Sequence, residues 1–304
     1  MDKSRVKIFG ERNTGTRALK QMLRRGRHVA LAMPNAPAPP CNMAWVDLQS
    51  SIDQYYSSEW RRLYHDALRD NARHRFAPLH MWKHAAPEWH SDFAAHSVHV
   101  IFLVRNPYSW ALSMARKPYH MKAPRVGNFE TFLARPWLTE RRDNCAIVLR
   151  SVMHLWNEKL AAYRAFEQGA SGLGCAVQFL NFENFIANPA QSACDVLIGF
   201  GIATDGVQNV EHSTKDDAQS LRDIQDYYAD ERWRTRLTSG AVALINQFID
   251  WDVAGAMGYA PLNPVDFPSE LENFERIQFA YDMMNMDLRS EVDLDRKAGA
   301  TATA

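Results

Sequence analysis

Short, solid apolar runs alternate along this chain with stretches whose apolar residues recur every three or four positions. Val6-Lys7-Ile8-Phe9-Gly10 predicts a strand, and 14–25 carries Ala18, Leu19, Met22 and Leu23 at helical spacing. Thr14 or Thr16 would cap that helix. The run His99-Val100-Ile101-Phe102-Leu103-Val104 is apolar throughout, as a strand buried on both faces would be. A helix over 108–116 should follow, with Pro107 in its first turn. Further expectations are helices over 151–167 and 189–200 and a buried strand over 175–180. The prolines of 34–40 predict a loop, and 51–71 reads as an amphipathic helix inserted over the site. From about Asp217 the chain is helix-rich, and the small, polar tail 297–304 is expected to be disordered.

This alternation predicts an α/β fold: a parallel sheet with helices on both faces, in one domain over 1–296. Composition adds exclusions. The 304 residues balance 35 Lys+Arg against 35 Asp+Glu, so no overall basic field favours nucleic acid. The four cysteines, Cys41, Cys145, Cys175 and Cys194, show no CxxC spacing, so neither a disulfide framework nor a zinc site is expected. The first residues lack the apolar core of a secretory signal. No apolar run is long enough to span a membrane. The expectation is a cytoplasmic protein.

Two motifs carry candidate chemistry. Gly10-Glu11-Arg12-Asn13-Thr14-Gly15-Thr16 has the GxxxxG spacing of a phosphate loop, set between the first strand and the first helix. Glycines let such a loop turn its amides inward, and the helix N-terminus adds a positive dipole end. Nucleotide-hydrolysing loops continue with Lys and Ser/Thr for phosphate and Mg²⁺. Here Thr16 and Arg17 follow instead. An ordinary βα turn would also fit the spacing. In the second motif, Arg105 ends the central strand in Val104-Arg105-Asn106-Pro107-Tyr108-Ser109-Trp110-Ala111-Leu112-Ser113. Arg105 and Ser113 could clamp a second phosphate, or serve only as a sheet-edge cap and a helix-packing hydroxyl.

Together these motifs resemble the PAPS-dependent sulfotransferase family (PAPS is 3′-phosphoadenosine 5′-phosphosulfate). GERNTGTRALKQML looks like its 5′-phosphosulfate loop and VRNPYSWALS like its 3′-phosphate motif. Phe179-Leu180-Asn181-Phe182-Glu183-Asn184-Phe185 resembles a later strand with its acidic turn. The stretch 228–259, with Trp233 and Met257-Gly258-Tyr259, resembles the C-terminal helical closure. The resemblance implies a P-loop-NTPase-like fold in three layers. It implies sulfuryl transfer from PAPS to a hydroxyl or amine, without a metal. Gly10, Arg12, Asn13, Thr14, Gly15, Thr16 and Arg17 would form the 5′ site, and Arg105 and Ser113 the 3′-phosphate site. The acceptor would be a small molecule, a lipid or a carbohydrate.

Many family members carry Lys where Asn13 stands, and Arg12 is the neighbouring cation that would replace it. The aromatic that stacks on adenine after the loop is missing, since Arg17 and Ala18 stand there. The late glycine-rich nucleotide motif is not visible, which leaves Lys215 as a candidate phosphate contact. Pro78-Leu79-His80-Met81-Trp82-Lys83-His84-Ala85-Ala86-Pro87 resembles the segment where the family places its base and an assisting lysine. His84 is the first choice for base and His80 the second, with Lys83 assisting. Strand neighbours face opposite sides, so Lys83 and His84 can share a site only where the strand has ended. Arg24-Arg25-Gly26-Arg27-His28 suits the negative end of the first helix, though it would also suit an acidic acceptor. Two other readings stay open: a P-loop kinase-like phosphotransferase, and a nucleotide-binding homologue without activity.

Overall fold

The computed structural model of the protein describes residues 3–32, 54, 78–118, 121, 127–209 and 220–272. The expected 34–40 loop, the 51–71 stretch apart from residue 54, and the 297–304 tail lie outside the described residues. The chain opens with β1 (Ser4–Gly10), α1 (Thr16–Arg25) and β2 (Val29–Leu31). After a 3-10 turn at Pro78–His80 come α2 (Asp92–Ala95), β3 (Val98–Val104), α3 (Pro107–Arg116) and α4 (Phe129–Ala134). The two-residue strands β4 (Trp137–Leu138) and β5 (Val148–Leu149) flank a 3-10 turn at Arg141–Asp143. Then follow α5 (Val152–Ala170), β6 (Val177–Asn181), α6 (Phe182–Ala187) and α7 (Pro189–Gly199). The chain closes with α8 (Leu221–Ala229), α9 (Ser239–Phe248) and α10 (Trp251–Gly255).

Four strands form one parallel sheet in the order β2-β1-β3-β6, with Ile8 opposite Ile101 and Phe102 opposite Phe179. Alternation along the strands feeds two cores. Val6, Ile8, Ile101 and Leu103 pack with Leu19, Met22 and Leu23 of α1 and Val196 and Leu197 of α7. Phe9, Val100, Phe102 and Val104 pack on the other face with Trp156, Leu160, Tyr163 and Phe166 of α5. The Phe102 and Tyr163 rings stack 4.5 Å apart. The fold is therefore the expected α/β architecture: a parallel sheet with helices on both faces.

Element boundaries follow local chemistry. Asn106 caps α3 by accepting from the amides of Tyr108 and Ser109, with Pro107 in the first turn. Ser151 caps α5 in the same way, through the amide of Met153. The chain leaves β1 toward α1 on one face, whereas α3, after β3, packs into the other core. Connections that depart to opposite faces from adjacent parallel strands leave a crevice at their carboxyl ends, the common ligand position of such sheets. Gly10 and Val104 end the two strands at that crevice.

Candidate anion-binding site

The loop after β1 is shaped by three residues. A Cβ on Gly10 would lie 2.7 Å from the Thr14 hydroxyl and 2.8 Å from Thr16 Cγ2, so only glycine fits. Asn13 and Gly15 both take positive φ, 66° and 83°, which asparagine tolerates and glycine adopts freely. The Thr14 hydroxyl donates to the Glu11 carbonyl at 2.7 Å. Trp110 Nε1 donates to the Arg12 carbonyl at 2.9 Å, and Arg105 to the Asn13 carbonyl at 2.6 Å. The loop is thus pinned by its carbonyls.

At the start of α1, Leu19 donates back to the Gly15 carbonyl. Helix geometry leaves the preceding first-turn amides no acceptor within the helix. Gly15 supplies no capping side chain, and the first turn holds no acidic residue. Such an end attracts anions.

Lys83 and His84 reach this junction from a turn. The Ala85 amide donates to the Trp82 carbonyl, so regular strand geometry does not apply at Lys83 and His84. The two adjacent side chains therefore converge. Lys83 Nζ donates to Thr16 Oγ1 at 3.2 Å, and His84 Nδ1 lies 2.5 Å from the Gly10 carbonyl. A carbonyl can only accept, so Nδ1 carries the proton and Nε2 is the basic nitrogen of neutral His84. Burial, followed by Lys20 and Arg17, lowers the Lys83 pKa from 10.5 to about 8.

Buried charges hold that turn in place. Lys7 Nζ donates to the carbonyls of Leu79 and Met81 at 2.9 and 2.8 Å. Lys159 Nζ donates to the carbonyl of His84 at 2.5 Å and to Asp143 Oδ1 at 2.8 Å. The Ala86 amide donates to the Asp143 carbonyl at 2.7 Å. Arg12 meets both Asp143 carboxylate oxygens at 3.0 Å and Glu11 Oε1 at 2.7 Å. Its guanidinium also lies over the Trp82 ring, at 4.9 Å, with Arg142 at 4.6 Å from the same ring. Burial alone would raise the Asp143 pKa, but Arg12 and then Lys159 hold it well below the usual carboxylate range. Burial likewise works against the Arg12 charge, and Asp143 and Glu11 outweigh it.

The sequence expectation of Arg12 as the cation of the loop meets a different geometry. Its guanidinium is 2% exposed and already matched by two carboxylates. The ammonium beside Thr16 belongs to Lys83.

Arg105, Asn13 and Ser113 come together on the β3 side. Asn13 Nδ2 donates to the Ser113 carbonyl at 3.3 Å. Arg105 is buried between the rings of Phe182 and Tyr228, 4.5 and 5.3 Å from their centroids. It donates to the Ser109 hydroxyl and carbonyl and, through Nη2 at 2.5 Å, to the Tyr228 hydroxyl. Arg17 is exposed on α1. The later stretches also meet: Tyr259 donates to Glu183 Oε2, and Asn181 to the Met257 carbonyl. The His80 side chain, Lys215 and residues 122–125 lie outside what is described.

The sequence assigned no role at the site to Glu11, Asp143, Lys159, Lys7 or Tyr228. Lys159 had a signal, since it sits in the stripe Val152, Trp156, Leu160 and Tyr163. A lysine on an apolar helix face has to find a buried partner. Asp143 had none, because Glu140-Arg141-Arg142-Asp143 reads as a solvated charge run. Among the described residues, no group of three or more His, Cys, Asp or Glu could hold a metal ion. Nor is any helix among them long and apolar enough to cross a membrane.

Two solved structures are similar to this chain. One is a sulfotransferase from Alicyclobacillus acidocaldarius, with 18% identity, TM-score 0.36, and coverage of 81% of this chain and 96% of that one. The other is the sulfotransferase domain from the curacin biosynthetic pathway, with 11% identity, TM-score 0.41, and coverage of 86% and 99%. No family model and no curated protein matches the chain.

Proposed function

We propose that this protein is a sulfotransferase that moves a sulfuryl group from PAPS to a hydroxyl or amine acceptor. The observation that carries the reading is the seating of Lys83 and His84, from one turn, on the β1–α1 junction. A sulfuryl transfer needs an anion cradle, a cation for the charge that develops on the leaving oxygen, and a base for the acceptor proton. The first turn of α1 fits the cradle, Lys83 the cation and His84 Nε2 the base. In the transfer, the acceptor oxygen bonds to sulfur and the bond from sulfur to the 5′-phosphate oxygen breaks. The acceptor proton passes to His84, and adenosine 3′,5′-bisphosphate leaves.

In this reading Lys83 supplies the charge that Asn13 lacks. Arg12 acts through the fold, by tying the loop to Asp143. Arg105 and Ser113 would hold the 3′-phosphate, which separates PAPS from ATP. A phosphate oxygen would take the place of the Tyr228 hydroxyl on Arg105 Nη2.

Thermal unfolding with adenosine 3′,5′-bisphosphate, AMP and Mg-ATP tests the reading. The bisphosphate at about 100 times its Kd should add about 2.7 kcal/mol and raise Tm. A response to Mg-ATP alone would transfer the chain to the phosphotransferases. Response to none of the three would end the nucleotide reading.

A further inference from the structure

Asn13 joins the two halves of the site. Its φ of 66° lies in the left-handed region, which asparagine tolerates better than most residues. Both its backbone and its side chain bond to the β3 side of the loop. The carbonyl accepts from Arg105 Nη1 at 2.6 Å. The amide Nδ2 lies 3.3 Å from each of three acceptors at the C-terminal end of α3: the Ser113 carbonyl, Met114 Sδ and the Lys117 carbonyl. Among loop residues 10–16, Asn13 is the one bonded to both Arg105 and Ser113.

An arginine carries five N–H donors in a rigid fork. Arg105 commits three of them to the protein: Nε to the Ser109 hydroxyl, one on Nη2 to the Ser109 carbonyl and one on Nη1 to the Asn13 carbonyl. One donor is left over on each terminal nitrogen, and the Tyr228 hydroxyl accepts from the one on Nη2. Two donors on two nitrogens are what a two-point phosphate contact needs. The first amide of the 5′ cradle belongs to Thr14, the next residue along the chain. Asn13 therefore fixes how far Arg105 and Ser113 stand from that cradle. Charge-assisted hydrogen bonds keep to about 2.7–2.9 Å, so two anion sites serve one ligand only when their spacing is held.

Resting on the sulfotransferase reading, we propose that Asn13 is a positioning residue for donor selection: it sets the spacing between the 5′ cradle and the Arg105–Ser113 pair, and so determines how strongly a 3′-phosphate is read. Its carbonyl aims the Arg105 fork, and its side-chain amide splints the loop to the end of α3. The residue then has a task of its own at this position, apart from the charge that a lysine would bring.

Calorimetry with adenosine 3′,5′-bisphosphate and with AMP tests this, the ratio of the two affinities being the readout. The wild type should bind the bisphosphate more tightly. Asn13→Gly keeps the positive φ and the carbonyl but removes the splint. It should lower the ratio at least about tenfold, equivalent to about 1.4 kcal/mol, with AMP affinity little changed. Asn13→Ala removes the same amide and also disfavours the positive φ that aims the carbonyl, so it should lower the ratio further. A residue that only kept the loop folded would weaken both nucleotides together and leave the ratio unchanged. That result, or a ratio that survives both substitutions, overturns the proposal. If the wild type binds the bisphosphate no more tightly than AMP, the sulfotransferase reading itself fails, and the role of Asn13 falls with it.

Discussion

At the residue scale, Lys83 gives the site a pH dependence with a definite sign. Its pKa is lowered from 10.5 to about 8, by burial first and then by Lys20 and Arg17. Below pH 8 it is charged and attracts an anion; above it the ammonium loses its proton. A bound anion favours the charged form, so binding above pH 8 should take up a proton. Bisphosphate affinity should then fall between pH 8 and 10, by at most about tenfold per pH unit. Calorimetry in buffers of different ionisation enthalpy measures the uptake, and Lys83→Met should abolish both effects. Tyr228 makes the opposite kind of prediction. Its hydroxyl occupies Arg105 Nη2, the donor that a phosphate oxygen would use. Tyr228→Phe keeps the ring against Arg105 but releases that donor, so bisphosphate should bind about 0.5–1.5 kcal/mol more tightly. Weaker binding would show the tyrosine hydroxyl to be part of the ligand site.

At the scale of elements, the Lys83 turn is held from three directions. Lys7 on β1 and Lys159 on α5 each donate to its backbone carbonyls, and Asp143 in the 3-10 turn after β4 accepts from Lys159 and Arg12. Asp143→Asn would leave Arg12 and Lys159 buried with Glu11 as their only carboxylate. That loss should cost about 3–5 kcal/mol, read from the midpoint of denaturant unfolding at constant m-value. The stability from Asp143 is present above the ordinary carboxylate range. Because its native pKa is lowered, that stability is lost only as pH falls to strongly acid values. The sequence made part of this element legible. Lys83 and His84 are adjacent, and their convergence depended on the strand having ended, as it has at the Trp82–Ala85 turn. Strands β2, β4 and β5, of three, two and two residues, were not legible. A run that short shows no alternation to separate it from a loop.

At the scale of the whole molecule, the order β2-β1-β3-β6 sets the loop after β1 beside Arg105 after β3. It also sends α1 and α3 to opposite faces of the sheet. The sequence by itself determined β1, β3 and β6 of this sheet and the helices α1, α3, α5 and α7 that cover it, because burial on one or both faces writes a recurring apolar pattern or an unbroken apolar run into the chain. It determined the glycine loop too, since Gly10 has no room for a Cβ and Gly15 needs a positive φ. Only the tertiary structure decided what each charge does. Arg12 meets Asp143 across 131 positions, and Lys83 meets Thr16 across 67. Contacts at such separation leave no local pattern, so the chain alone could name Arg12 and Lys83 as cations. Folding chose which one to neutralise in the core and which to set at the mouth of the loop.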